Sequence, residues 1–139
     1  MNLIDRLAAA YRATFKESSE LPEKALRALG WYVDDACMED FVFALIDVPT
    51  EVLKFLVTTE NADIAFDHGN FPDYHRWYVG SWDREKSISE YVDGFPCIIS
   101  DGEDVFDDGW HRFHAYVSRG NLTTPCLLLR HKLRPESAA

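Results

Sequence analysis

The residues of this chain best suited to chemistry run from Asp107 to Tyr116: Asp-Asp-Gly-Trp-His-Arg-Phe-His-Ala-Tyr. A glycine just before a helical pattern, with His111 and Arg112 in the first turn, suits an anion. The first N–H groups of a helix lack intrahelical partners and point outward, and the imidazole and guanidinium add donors.

The flanking sequence must position that box. Phe95-Pro96-Cys97-Ile98-Ile99-Ser100 is apolar and leads to a turn at Asp101-Gly102. Gly120-Asn121 and the apolar run Pro125-Cys126-Leu127-Leu128-Leu129 follow. The order predicts strand, turn, short strand, tight glycine, helix, glycine stop, strand. Upstream, Leu3, Ile4, Leu7, Ala8, Tyr11 and Phe15 predict a helix over 2–17. Ala25, Leu26, Leu29, Tyr32, Val33, Ala36 and Cys37 predict a second one, which Gly30 weakens without ending. Phe41 to Val48 reads as a strand stopped by Pro49, and Thr50 as the cap of a short helix, Glu51 to Phe55. Residues 60–86 carry many turn signals, with a candidate strand at 77–82. Ser87 to Gly94 suggests a short helix capped by Ser87.

With 139 residues, 47% hydrophobic and 14% aromatic, the chain suits one globular domain with a core. Cys37, Cys97 and Cys126 are odd in number and have no zinc-like spacing, so they read as reduced thiols. No stretch approaches the roughly 18 apolar residues of a membrane span, and no long apolar leader is visible, so a cytoplasmic protein is expected. The net charge of −10 repels phosphate backbones and disfavours direct DNA or RNA binding. The basic cluster Arg130, His131, Lys132 and Arg134 reads as a solvated tail.

Residues 95–129, and more loosely 41–130, resemble the ParB/sulfiredoxin superfamily. The parts that carry the resemblance are Pro96-Cys97-Ile98-Ile99, Asp108-Gly109-Trp110-His111-Arg112, Gly120 and Pro125-Cys126-Leu127-Leu128. The resemblance implies an α+β fold, a small mixed sheet with helices. An N-terminal helical extension would cover residues 1–40, the ParB-like domain 41–134 and a flexible tail 135–139. It also implies a nucleotide triphosphate, ATP or CTP, held by Gly109, Trp110, His111 and Arg112. Asp108 would be the Mg²⁺ ligand, and Asp108 and His111 the catalytic pair for hydrolysis or phosphoryl transfer.

The chain departs from the pattern it resembles in several respects. Sulfiredoxins carry a reactive cysteine where Trp110 stands, which argues against sulfinic-acid reduction. The further arginine-rich boxes and helix-turn-helix of partition proteins have no counterpart here. The catalytic carboxylate of the family's free-serine kinase has only Glu51 as a candidate, by location. Asp93, Asp101, Glu103, Asp104, Asp107 and Asp108 precede the helix without a Lys or Arg, and oppose a polyanion unless Mg²⁺ intervenes.

Other constellations are weaker. His111 and His114 share a helix face but lack a clear third metal ligand. The run 101–108 fails the EF-hand pattern, with Phe106 at a ligand position when Asp104 is first. His75-Arg76 lacks a preceding glycine or a clear helix start, and reads as Arg76 stacked on an aromatic or as part of a surface strand. Trp110 packs in the core or stacks on a base. No GxSxG elbow, Walker A or dinucleotide fingerprint is present. Two readings remain: a nucleotide-binding module, or a non-catalytic acidic protein on the same scaffold. The second would engage a basic, nucleic-acid-binding partner, as do mobile-element inhibitors that imitate DNA.

Overall fold

The apolar run after Pro125 forms a strand buried on both faces. The computed structural model describes residues 2–60, 70–80, 93–101 and 105–132. Within them the protein is a small α+β domain with five α-helices and a three-stranded mixed sheet. The helices are α1 (Leu3–Ala10), α2 (Glu23–Gly30), α3 (Thr50–Glu60), α4 (Phe71–Gly80) and α5 (Trp110–Ser118). The strands are β1 (Phe41–Pro49), β2 (Cys97–Ile99) and β3 (Thr123–His131), ordered β1-β3-β2. β3 runs antiparallel to β1, from Phe41 opposite His131 to Pro49 opposite Thr123. It runs parallel to β2, with Cys97 opposite Cys126. A parallel neighbour requires a crossover, and α5 supplies it.

Side chains alternate across the pleat, so β3 feeds two apolar layers. Cys126 and Leu128 join Ala44, Ile46, Val48, Cys97 and Ile99 beneath α1, α3, α4 and α5. Leu127 and Leu129 join Phe43, Ile98 and Phe95 against Ala25, Ala28 and Leu29 of α2. Both N-terminal helices therefore contribute to the layers that bury the sheet. Pro125 lies before β2 joins β3, where the strand pairs with β1 alone.

Several boundaries differ from expectation. α1 stops at Ala10, seven residues short of the predicted end, because Arg12 takes a left-handed turn, φ 52°. The chain then swings out along β1. Lys16 and Phe43 exchange backbone bonds of 2.7 and 2.8 Å. α2 ends at Gly30 instead of continuing to Cys37. Its last carbonyls are met by Tyr32 and Val33 N–H on Leu29, and a separate 3-10 segment, Asp35–Asp40, leads into β1. The helix opened by Thr50 reaches Glu60, longer than predicted, and Leu53, Leu56 and Val57 bury its inner face.

The predicted strand at 77–82 is overturned for residues 77–80, which belong to α4; Ser81 and Trp82 lie outside the described residues. Tyr74 and Tyr78, four apart, share the helix face turned to α5, and that packing outweighs the β-propensity of the aromatics. The short strand before Gly109 is reduced to one bridge, Ile98 with Asp108. The helix predicted over 87–94 lies outside the described residues apart from a turn at 93–94.

Leu128 is fully buried. Leu128→Ala is expected to lower the unfolding free energy by about 2–5 kcal/mol in urea titration, from lost burial and an unfilled cavity. Leu122, 88% exposed, should lose less than about 0.5 kcal/mol on the same change.

Candidate functional site

The hairpin after β2 sets the box in place. Ile98 N–H donates to Asp108 O, and Asp107 N–H to Ile98 O, both at 2.9 Å. Gly109 follows with φ 95°, a conformation that L side chains rarely adopt, and turns the chain into α5. A Cβ there would stand 3.0 Å from Cys97 Cα and 3.0 Å from Arg112 Nη2. Glycine is therefore required twice, by backbone angle and by space. The first helical bond is Phe113 N–H to Gly109 O, 2.8 Å.

Arg112 folds back over this turn and is 8% exposed. Nη2 donates to Asp108 Oδ2 at 3.2 Å, and the guanidinium lies 5.5 Å from the Trp31 ring centroid. Nε is buried and has no hydrogen-bond partner among the described residues. Asp107 accepts a bond from Tyr32 OH at 3.0 Å. Trp110 is half-buried, edge-on to Phe106 at 5.0 Å. Cys97 lies beneath the turn, where burial pushes its thiol up to about 12. Burial there favours the neutral thiol.

His111 has a different setting. Successive helical residues project about 100° apart, and while Arg112 meets α2 through Trp31, His111 Nδ1 lies 3.3 Å from Tyr78 OH on α4. The structure thus brings Asp108, Gly109 and Arg112 together and places His111 on a second site, the seam between α4 and α5. Glu51, the carboxylate suggested by location, is exposed and paired with Lys54 at 2.8 Å.

The seam was not foreseen. His111, His114 and Ser118 form one stripe of α5, and Tyr74, His75 and Tyr78 face them from α4. His75 Nδ1 and His114 Nδ1 are 2.7 Å apart. His114 Nε2 is 3.2 Å from Tyr74 OH, and His75 Nε2 is 3.2 Å from Ser118 Oγ. Tyr78 stacks on the His114 ring with centroids 4.0 Å apart. Two nitrogens bonded to each other require one to accept, so the pair cannot be doubly protonated. Burial, then the neighbouring His75 and His111, lowers His114 to about 3. Burial, then Lys54, lowers His75. Burial also pushes Tyr78 up to about 12.

Among the described residues no group of three His, Cys, Asp or Glu side chains is arranged to hold a metal. Mg²⁺ commonly takes only one or two carboxylates along with phosphate oxygens. Asp108, with a side chain 38% exposed, is the carboxylate at the box that fits this role, in competition with Arg112. Among the described residues no helix is long and apolar enough to cross a membrane. Comparison with protein-family models, curated proteins and solved structures finds no match to this chain.

Two outcomes follow from this geometry. Gly109→Ala should cost more than about 1 kcal/mol of stability in denaturant titration, because the strained φ alone costs of that order. His114 stays neutral in the folded state while its unfolded counterpart takes up a proton near pH 6.5. Its contribution is full above pH 6.5 and is lost progressively as pH falls toward 3. By pH 5 the loss from this residue should be about 2 kcal/mol. NMR titration should show no protonation of the His114 ring between pH 8 and pH 5.

Proposed function

We propose that the α5 N-terminus binds a phosphate group of a nucleotide triphosphate, ATP or CTP, through the first-turn backbone and Arg112. The observation that carries this reading is Arg112 Nε, shielded from water and without a hydrogen-bond partner among the described residues. It lies 3.1 Å from where a Gly109 Cβ would stand. A buried donor left unsatisfied is costly, and an anion at the turn would satisfy it. The resemblance to the ParB/sulfiredoxin superfamily points to the same box. Half-exposed Trp31 offers a ring for stacking a base.

In this reading phosphate replaces the Asp108 carboxylate on the guanidinium. Asp108 would be the residue to hold a Mg²⁺, which would supply charge neutralisation on the phosphates. His111, in the same first turn of α5, points instead to Tyr78 of α4 and stands outside these phosphate contacts. Reduced Cys97 and Cys126 suit a cytoplasmic setting.

A second reading has its own support. Asp108 already neutralises Arg112, and the chain carries 24 acidic against 14 basic residues. In that reading the box is structural, and the acidic surface engages a basic protein partner.

Isothermal titration with ATP and CTP, with and without Mg²⁺, separates the two. Micromolar binding that falls at least tenfold in Arg112→Lys, with an unchanged thermal melt, supports nucleotide binding. An Asp108→Asn variant should lose the Mg²⁺ dependence. No binding of either nucleotide by the folded protein rejects the nucleotide reading and leaves the acidic-surface one.

A further inference from the structure

The α4–α5 seam places an exposed hydroxyl at the end of a hydrogen-bonded chain that runs through half-buried His75 to buried His114. His114 is fully buried, and Ser118, at the last position of α5, is exposed. Between them stands His75, with one ring nitrogen on each. Phe71 stacks on both imidazoles, at 5.8 Å from His75 and 6.0 Å from His114, and fixes the ring planes. Beside His75 lies an open groove of about 480 Å³, lined by Pro72, His75, Arg76, Val79 and Gly80.

We propose that Ser118, His75 and His114 form a nucleophile, base and orienting residue for acyl transfer from small ester-type donors bound in this groove. With both rings neutral, the chain has one polarity that makes His75 a base. His114 Nε2–H donates to Tyr74 O, His75 Nδ1–H donates to His114 Nδ1, and His75 Nε2 accepts from Ser118 Oγ–H. This is the arrangement in which a hydroxyl is activated by an imidazole that a third group orients. Burial lowers the pKa of His75 and so keeps Nε2 available as an acceptor at neutral pH.

The steps balance without a further reagent. Ser118 Oγ attacks the ester carbonyl carbon while its proton passes to His75 Nε2. The tetrahedral adduct collapses, the bond from carbonyl carbon to the leaving oxygen breaks, and the His75 proton goes to that oxygen as the alcohol departs. Water, deprotonated by His75, then attacks the acyl-serine, and Ser118 regains its proton as the acid leaves. Among the described residues lining the groove, Arg76 is the cation; its side chain is 76% exposed and paired with Asp73. Its charge is placed to offset the negative charge that develops on the carbonyl oxygen.

The test is p-nitrophenyl acetate hydrolysis by the full chain, with peptide mass spectrometry to locate the acetyl group. The expected result is a burst approaching one nitrophenolate per chain and an acetyl adduct on Ser118. Both should be lost in Ser118→Ala, whose exposed position spares the fold. His75→Gln should slow acylation at least 100-fold with its thermal melt retained. Turnover undiminished in Ser118→Ala, or an acetyl group found only elsewhere, would overturn the proposal. Ser118→Ala should leave nucleotide titrations unaltered and Arg112→Lys should leave acylation unaltered, so this site and the box succeed or fail separately.

Discussion

Both apolar layers of the protein meet on β3, and that constraint organises everything else. A strand buried on both faces exposes no side chain to water over its centre, so each face must be covered by helices. One face takes α2 alone, while α1, α3, α4 and α5 share the other. The parallel neighbour β2 is reached only by the crossover through α5, and α5 can start only because Gly109 turns there. The chemistry on α5 is thus fixed by strand pairing. Tyr116, in the last turn of that helix, ties it down further by donating to Phe95 O at 2.8 Å.

A single helix consequently serves two environments. Its N-terminal turn faces α2, where Arg112, Asp108 and Trp31 share a tight charged and aromatic contact. Its outer stripe faces α4, where imidazoles and phenols replace the leucines usual between packed helices. Polar groups between helices must find partners or carry a desolvation penalty. His75, His114, Tyr74 and Ser118 meet that requirement with one another. The same requirement that keeps the seam ordered keeps its histidines neutral.

The sequence made β1, the β2–α5–β3 unit and the glycine that opens α5 legible, because unbroken apolar runs and a glycine before a helical pattern are local signals. The ends of α1 and α2 were not legible. They depend on Arg12 adopting a left-handed turn and on the chain leaving Gly30 for β1, neither of which hydrophobic spacing records. α4 was read as turns and a strand because Trp77, Tyr78 and Val79 favour strands, and only contact with α5 makes them helical. At the box, Asp108, Gly109 and Arg112 converge as their spacing suggests. The pairing of His75 with His114, 39 residues apart, has no counterpart in sequence periodicity, since neither helix alone indicates which face the other presents.

The backbone pairing of Lys16 with Phe43 has a consequence for how the molecule behaves in a crowded solution. β1 lies at one end of the sheet order, and the outer side of such a strand offers a ladder of donors and acceptors on which a second molecule can grow. Here the chain's own returning segment occupies part of that ladder at Phe43, and Lys132 pairs with Glu17 beside it at 3.0 Å. A foreign strand would have to displace this segment before it could add to the sheet. The early turn that shortens α1 thus also shields the edge against sheet-to-sheet aggregation.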